Sequence, residues 1–130
     1  MEALVLVFVF VALAAVCNSI MDITSHHFEQ SIFKGSWWDS ENSWRLKYVD
    51  GDHAKGRIKW YFGINKPVQL TDAWHFFKML MIFFICAAIA TISYVKPTIF
   101  TWWPFTFTIA GIVWNITFSL FYDRILRLNF

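Results

Sequence analysis

The chain has 130 residues, of which 58% are hydrophobic and only 15% charged, with 15 Phe and 8 Trp among them. A soluble domain of this size cannot hide so much apolar surface, because the fraction of surface buried on folding falls as chains shorten. The formal net charge of +2 is too small to suggest a nucleic-acid partner, so composition points to lipid as the solvent and to basic residues placed by membrane topology.

A membrane-spanning helix needs about 20 mostly apolar residues. Three uncharged runs meet or approach that length: Ala3 to Met21 (19 residues), Met79 to Val95 (17) and Pro97 to Tyr122 (26). The first carries Glu2 where a secretory signal carries positive charge, and Val16 ahead of Cys17 makes a poor lipoprotein cleavage box. It is read as a retained transmembrane helix. "SIMDITSHHFEQSIFK" stays helix-compatible as far as Gly35, a residue suited to a C-terminal stop. Residues 1–34 are therefore expected to form a first helix that continues into the cytoplasm.

Residues 35–70 form the one sizeable polar segment, cytoplasmic or interfacial. Within it, "RLKYVDGDHAKGRIKWYF" alternates on either side of turn residues, the pattern of a small β-hairpin. The competing reading is an irregular loop whose Trp residues lie on the membrane surface. The second helix is expected over 71–95, with Thr71 as N-cap and Asp72 in the first turn, where a carboxylate meets the positive end of the helix dipole. "VKPT" turns quickly into a third helix over 97–128, with Pro104 in its first turns or kinking it. The expected fold is all-α: three transmembrane helices with an aromatic and basic segment between the first two.

Of the 11 basic residues, eight lie between the first and second spans and two, Arg124 and Arg127, follow the third, leaving Lys96 alone in the short turn. The positive-inside rule then places the amino end outside and the carboxyl end inside. Cys17 and Cys86 both fall in apolar runs without zinc-ligand spacing, and read as small buried hydrophobes.

Polar residues within the spans are few. At 100° per residue, Asn18, Asp22, Ser25 and Glu29 share one helical face, with His26 at its edge. On the third span, Thr108, Gly111, Asn115, Ser119 and Tyr122 share a face. Small and polar stripes of this kind suit close helix packing in lipid, and Asn18 and Asn115 are placed to hydrogen-bond across such an interface.

Two acid–imidazole pairs fall at the same cytoplasmic boundary: Asp22 with His26, four apart, and Asp72 with His75, three apart. Together, with Glu29 as a further oxygen ligand, they make a candidate site for a divalent metal ion, namely zinc, manganese or iron. Metal-bound water at such a site can attack an ester or a phosphate. The bland alternative is that these groups cap helices and face water. No H-E-x-x-H, phosphate-cradling glycine loop or nucleophile elbow is present. A second candidate set, Trp44, Arg45, Lys47, Trp74 and Lys78, combines indoles with cations, the mixture that binds phospholipid head groups.

The combination "NSIMD…HHFEQSIF", "SWRLKY" and "TDAWHFFK" resembles a family of small bacterial integral membrane proteins without an established activity. The resemblance covers roughly residues 17–90. It implies the bacterial cytoplasmic membrane as location. It also implies that Asp22, His26, Trp44, Asp72, Trp74 and His75 form one constellation. No catalytic role follows from it.

The functional expectation is a polar Asp/His site at the cytoplasmic boundary that binds a divalent metal or a lipid head group. The alternative is a non-catalytic subunit of a membrane assembly, or a homo-oligomeric pore seamed by the third-span stripe. A small carrier ranks last, because no internal inverted repeat is visible.

Overall fold

The computed structural model describes residues 2–98 and 102–128. Three α-helices carry the architecture: α1 (Glu2–His26), α2 (Ala73–Ile92) and α3 (Trp103–Ser119). All three are long and apolar enough to cross a membrane, the third when its π-helical continuation Leu120–Ile125 is included. Helix α1 is central. It packs against both other helices, which hardly touch one another.

The reason lies in side-chain size. Ala14, Ala15, Cys17 and Ser19 of α1 are buried, and small side chains let neighbouring backbones approach closely. The hydroxyls on this helix cost little to bury, because Ser19 donates to Ala15 O at 2.7 Å and Thr24 donates to Ile20 O at 2.8 Å. The Phe10 and Phe84 rings stack at 6.3 Å, while Ile23 meets Phe77 at the other end. Helices α1 and α2 therefore run antiparallel. Ile20 and Ile23 also meet Phe121, Tyr122 and Leu126, so α3 runs parallel to α1.

Helix α1 ends at His26 rather than continuing to Gly35. His27 leaves helical geometry (φ −140°, ψ 34°) and Phe28–Gln30 tighten into a 3-10 turn. Tertiary bonding decides the stop. Ser40 donates to Thr24 O at 2.9 Å, taking one of the orphan carbonyls of the last turn. Beyond it, residues 30–32 pair with the segment that follows α3: Ile32 N donates to Leu126 O (2.9 Å) and Leu128 N donates to Gln30 O (2.6 Å). Arg127 donates from Nε and Nη2 to Gln30 Oε1 at 3.2 and 2.7 Å. The π-helical turn makes this possible. Leu126 N bonds five residues back, to Phe121 O, and Leu126 is turned into the core.

The bundle is thus tightest where α1 and α3 end and α2 begins. Ile20, Ile23 and Leu126 are enclosed there by Val16, Phe33, Trp38, Phe77, Phe121 and Tyr122. Trp38 stacks between Phe33 (4.1 Å) and Phe77 (5.7 Å), with Trp37 edge-on at 4.8 Å. Such aromatic pairs are each worth about 0.5–1.5 kcal/mol beyond their buried area.

Among the described residues the connecting segment forms no strand. Ser43–Lys47 is a 3-10 helix, and antiparallel pairing is limited to isolated bridges at Tyr48 with Arg57 and Lys59 with Asn65. Pro104 occupies the first turn of α3, where its missing N–H removes no helical bond.

Candidate functional site

Asp72 holds the centre of the boundary. It is the N-cap of α2, with extended backbone (φ −150°, ψ 162°), a role the sequence had suggested for Thr71. Thr71 instead turns its hydroxyl back to Val68 O at 2.7 Å. Asp72 Oδ1 accepts from the backbone N–H of His75 at 2.9 Å, satisfying one of the four free donors of the first turn. Both carboxylate oxygens lie 2.8 Å from His75 Nδ1. One carboxylate therefore caps the helix and grips the imidazole three residues on.

Burial makes that grip consequential. Asp72 is 2% exposed, and a carboxylate removed from water persists only when its oxygens are partnered. Thr71 Oγ1 stands 3.3 Å from Oδ2 and completes the surroundings. With Nδ1 committed to the carboxylate, the imidazole carries its hydrogen on that side when neutral and leaves Nε2 for another partner.

His75 and Asp72 line an open cavity of about 350 Å³, together with Ser25, Ser40, Ser43, Trp44 and Trp74. Three elements supply it: the last turn of α1, the 40–44 loop and the start of α2. A main-chain bond from Ala73 N to Trp37 O (2.9 Å) holds the loop against the helix start. The Trp74 ring lies edge-on to His75 at 5.1 Å, and Lys78 Nζ sits 4.6 Å over the Trp74 ring. Arg45 lies 5.5 Å from the centre of the Trp44 ring. Lys47 covers Tyr48, at 5.4 Å. Of the indole–cation set, Trp44 and Trp74 line the cavity beside the Asp72–His75 pair, Arg45 and Lys78 sit on those two rings outside the lining, and Lys47 lies apart on Tyr48.

The other acid–imidazole pair goes elsewhere. Asp22 lies within electrostatic range of the Tyr122 phenol, on the side of α1 that meets α3. His26 and Glu29 line a second polar cavity, also of about 350 Å³, with His27, Asp39 and Glu41. Ser25 forms part of both cavity walls. Among the described residues no group of three or more His, Cys, Asp or Glu side chains converges. Asp22, His26, Glu29, Asp72 and His75 therefore do not form one ligand set in this arrangement. Two causes separate them: α1 is rotated so that Asp22 lies toward Tyr122 while His26 lines the other cavity, and α1 ends before Glu29. Glu29 lies past the helix, so the 100° spacing that put it beside Asp22 no longer applies.

The third-span stripe is also placed differently from expectation. Thr108, Asn115 and Ser119 are exposed, and Gly111 has open space around it. Asn115 donates to Gly111 O at 2.8 Å within its own helix, and no bond to Asn18 forms. The serines of the cavity escaped sequence reasoning for a different reason. Ser40 and Ser43 sit in "SWWDSENSW", a loop without periodicity, and only its fold over α1 brings them to His75.

No family model, curated protein or solved structure matches this chain. The resemblance over roughly residues 17–90 rests on its sequence motifs alone.

Proposed function

We propose that this is a small polytopic membrane protein, with its amino end outside and its carboxyl end inside, that holds a phospholipid head group at the cytoplasmic boundary of a bacterial inner membrane. The observation that carries this reading is the Asp72–His75 pair in a cavity walled by two indoles and three serines. Asp72 holds His75 Nδ1 at 2.8 Å, which orients the ring and leaves Nε2 to hydrogen-bond the head group. Trp44 and Trp74 take the glycerol end of the lipid, and Arg45 and Lys78 at the rim attract an anionic head group.

The test is lipid retention. Native mass spectrometry of the protein in mild detergent, titrated with phosphatidylglycerol, is expected to show one lipid bound. His75→Ala weakens it roughly tenfold or more, the worth of one charge-assisted hydrogen bond. Equal retention by wild type and His75→Ala would overturn the reading. Elemental analysis of the same samples addresses the metal version. One equivalent of zinc, manganese or iron, lost in His75→Ala and kept in His26→Ala, would put a metal in place of the head group.

A second reading draws on the exposed face of α3. An asparagine facing lipid leaves amide hydrogen-bonding capacity unused, and a neighbouring chain can use it. On that reading the protein is a subunit of a membrane assembly or of a homo-oligomer. A strictly monomeric mass across all detergents tested would end the homo-oligomer.

A further inference from the structure

The 58–66 turn was not part of either sequence-derived site, and it has an unusual combination of properties. Its base is closed by Trp60 N to Ile64 O (2.7 Å) and Lys66 N to Ile58 O (2.9 Å), and Lys59 Nζ reaches Asn65 Oδ1 at 2.8 Å. At its tip Phe62 is 100% exposed, with Tyr61 at 69%, Ile64 at 65% and Trp60 at 47%. A closed turn presents four large apolar side chains outward, and none of them contributes to the core.

The backbone adds a second observation. Phe62 has φ 54° and ψ 27°, left-handed geometry that glycine adopts freely and a bulky residue rarely does. Gly63 follows with φ 72°. A ring placed on a strained residue and then left wholly exposed gains nothing for the fold. Strain of this kind is found where surroundings or function require it.

Charge identifies the occupant. Between Asp52 and Asp72 the chain has no acidic residue, while Lys55, Arg57, Lys59 and Lys66 are basic. Lys55 is paired with Asp50 at 2.8 Å and half-buried Arg57 donates from Nη2 to Lys66 O at 3.2 Å, which leaves Lys59 and Lys66 as a positive collar below the tip. Phe62 lies ten positions before Asp72 at the head of α2, a tether of at most about 35 Å of extended chain. Aromatic side chains over a cationic collar, held this near a membrane-spanning helix, match the interfacial layer of a leaflet that carries anionic lipid.

We infer that residues 60–64 form a finger that inserts into the anionic leaflet on the side where α2 begins, with Phe62 deepest and Lys59 and Lys66 on the head groups. This does not depend on the Asp72–His75 reading. The insertion brings the connecting segment down onto the bilayer, so the segment is held at both ends and at its middle.

Depth-resolved fluorescence tests it. In a Cys17→Ala, Cys86→Ala background, Phe62→Cys is labelled with an environment-sensitive dye and the full chain is placed in nanodiscs. One set contains phosphatidylglycerol and phosphatidylcholine, the other phosphatidylcholine alone. Ala54→Cys, exposed on the neighbouring turn, is the control. The dye at 62 is expected to shift to the blue and to be quenched by doxyl-labelled lipid in the first set. Position 54 stays accessible to aqueous iodide. Iodide access at 62 in both sets would overturn the inference. So would protection at 62 from both quenchers, which signifies a protein partner, or lipid quenching equal in the two sets, which removes the role of the collar. Phe62→Gly adds a variant that relaxes the backbone and so keeps the fold. With the dye at Tyr61→Cys, it is expected to lose lipid quenching while its thermal transition holds or rises.

Discussion

Two patches of small and polar residues lie along this molecule, and the structure treats them in opposite ways; the buried one on α1 is not the Asn18, Asp22, Ser25 and Glu29 face that spacing singled out. On α1, Ala14, Ala15, Cys17 and Ser19 are buried between neighbours. On α3, Thr108, Asn115 and Ser119 are exposed, and nothing stands within 4 Å of a Cβ built on Gly111. Both stripes satisfy the packing rule for helices in lipid. That rule states which face permits close approach, and leaves open which neighbour arrives. Helix α1 is enclosed because α2 and α3 both pack against it, and at its end the 31–44 loop binds Thr24 O while the 126–128 segment binds residues 30–32. The stripe on α3 has no such cover.

The sharpest way to break the comparison is to enlarge the buried stripe. Ala15 has no exposed surface, and a ring there has no space to enter. Ala15→Phe is expected to cost about 3 kcal/mol by overpacking, read as a lowered denaturation midpoint in micelles. A midpoint equal to that of wild type would show that α1 is not the enclosed helix.

Asp72→Ala asks whether small residues alone hold α2 on α1. It removes the N-cap and the buried partner of His75 together, so a loss of about 1–2 kcal/mol is expected in the same denaturation. Asp72→Asn keeps an acceptor for the His75 N–H and should fall between the two. If Asp72→Ala proved neutral, the boundary bonds would be incidental to packing.

Arg127→Ala loosens the tie between α3 and the end of α1. Its side chain makes two bonds to Gln30 Oε1, and their loss is expected to lower stability by about 1 kcal/mol. Gln30→Ala should do the same, and the double variant should cost no more than either single change. Additive losses in that cycle would separate the two residues energetically.

The smallest effect belongs to the exposed stripe. Gly111→Leu enters open space and is expected to leave monomer stability unchanged or raised, by under about 1 kcal/mol from helix propensity. The same variant sharpens the comparison through mass. If α3 seats a second copy, Gly111→Leu lowers the oligomer fraction on native mass spectrometry while the denaturation midpoint holds or rises.

Much of the fold was legible in the residues themselves. Uninterrupted apolar runs between charged residues indicated three helices, because length and hydropathy are local properties, although the expected 1–34, 71–95 and 97–128 run longer than the observed Glu2–His26, Ala73–Ile92 and Trp103–Ser119. The start of α2 was legible too, since "TDAWH" can cap a helix, although the cap fell to Asp72 rather than Thr71. The end of α1 was not. Helix-compatible residues continue past His26, and only Ser40 and the chain after α3 tell the backbone to stop there.

The site divides along the same line. The Asp72–His75 pair was legible as a spacing of three at a helix start, although the contact is made by Asp72 as an extended N-cap rather than by two residues on one helical face. Whether Asp22 and His26 joined them depended on how α1 is rotated against α2 and where it ends, and neither is a local property. What the order of amino acids determined, then, was a trio of helices long and apolar enough to cross a membrane and one acid–imidazole pair at a helix start, because hydropathy and short spacings are local. What only tertiary structure decided was which stripe is covered, which serines and indoles surround His75, and which acids stay apart. Those outcomes turn on contacts between residues far apart in the chain, where packing and hydrogen bonding choose among faces that the sequence leaves equivalent.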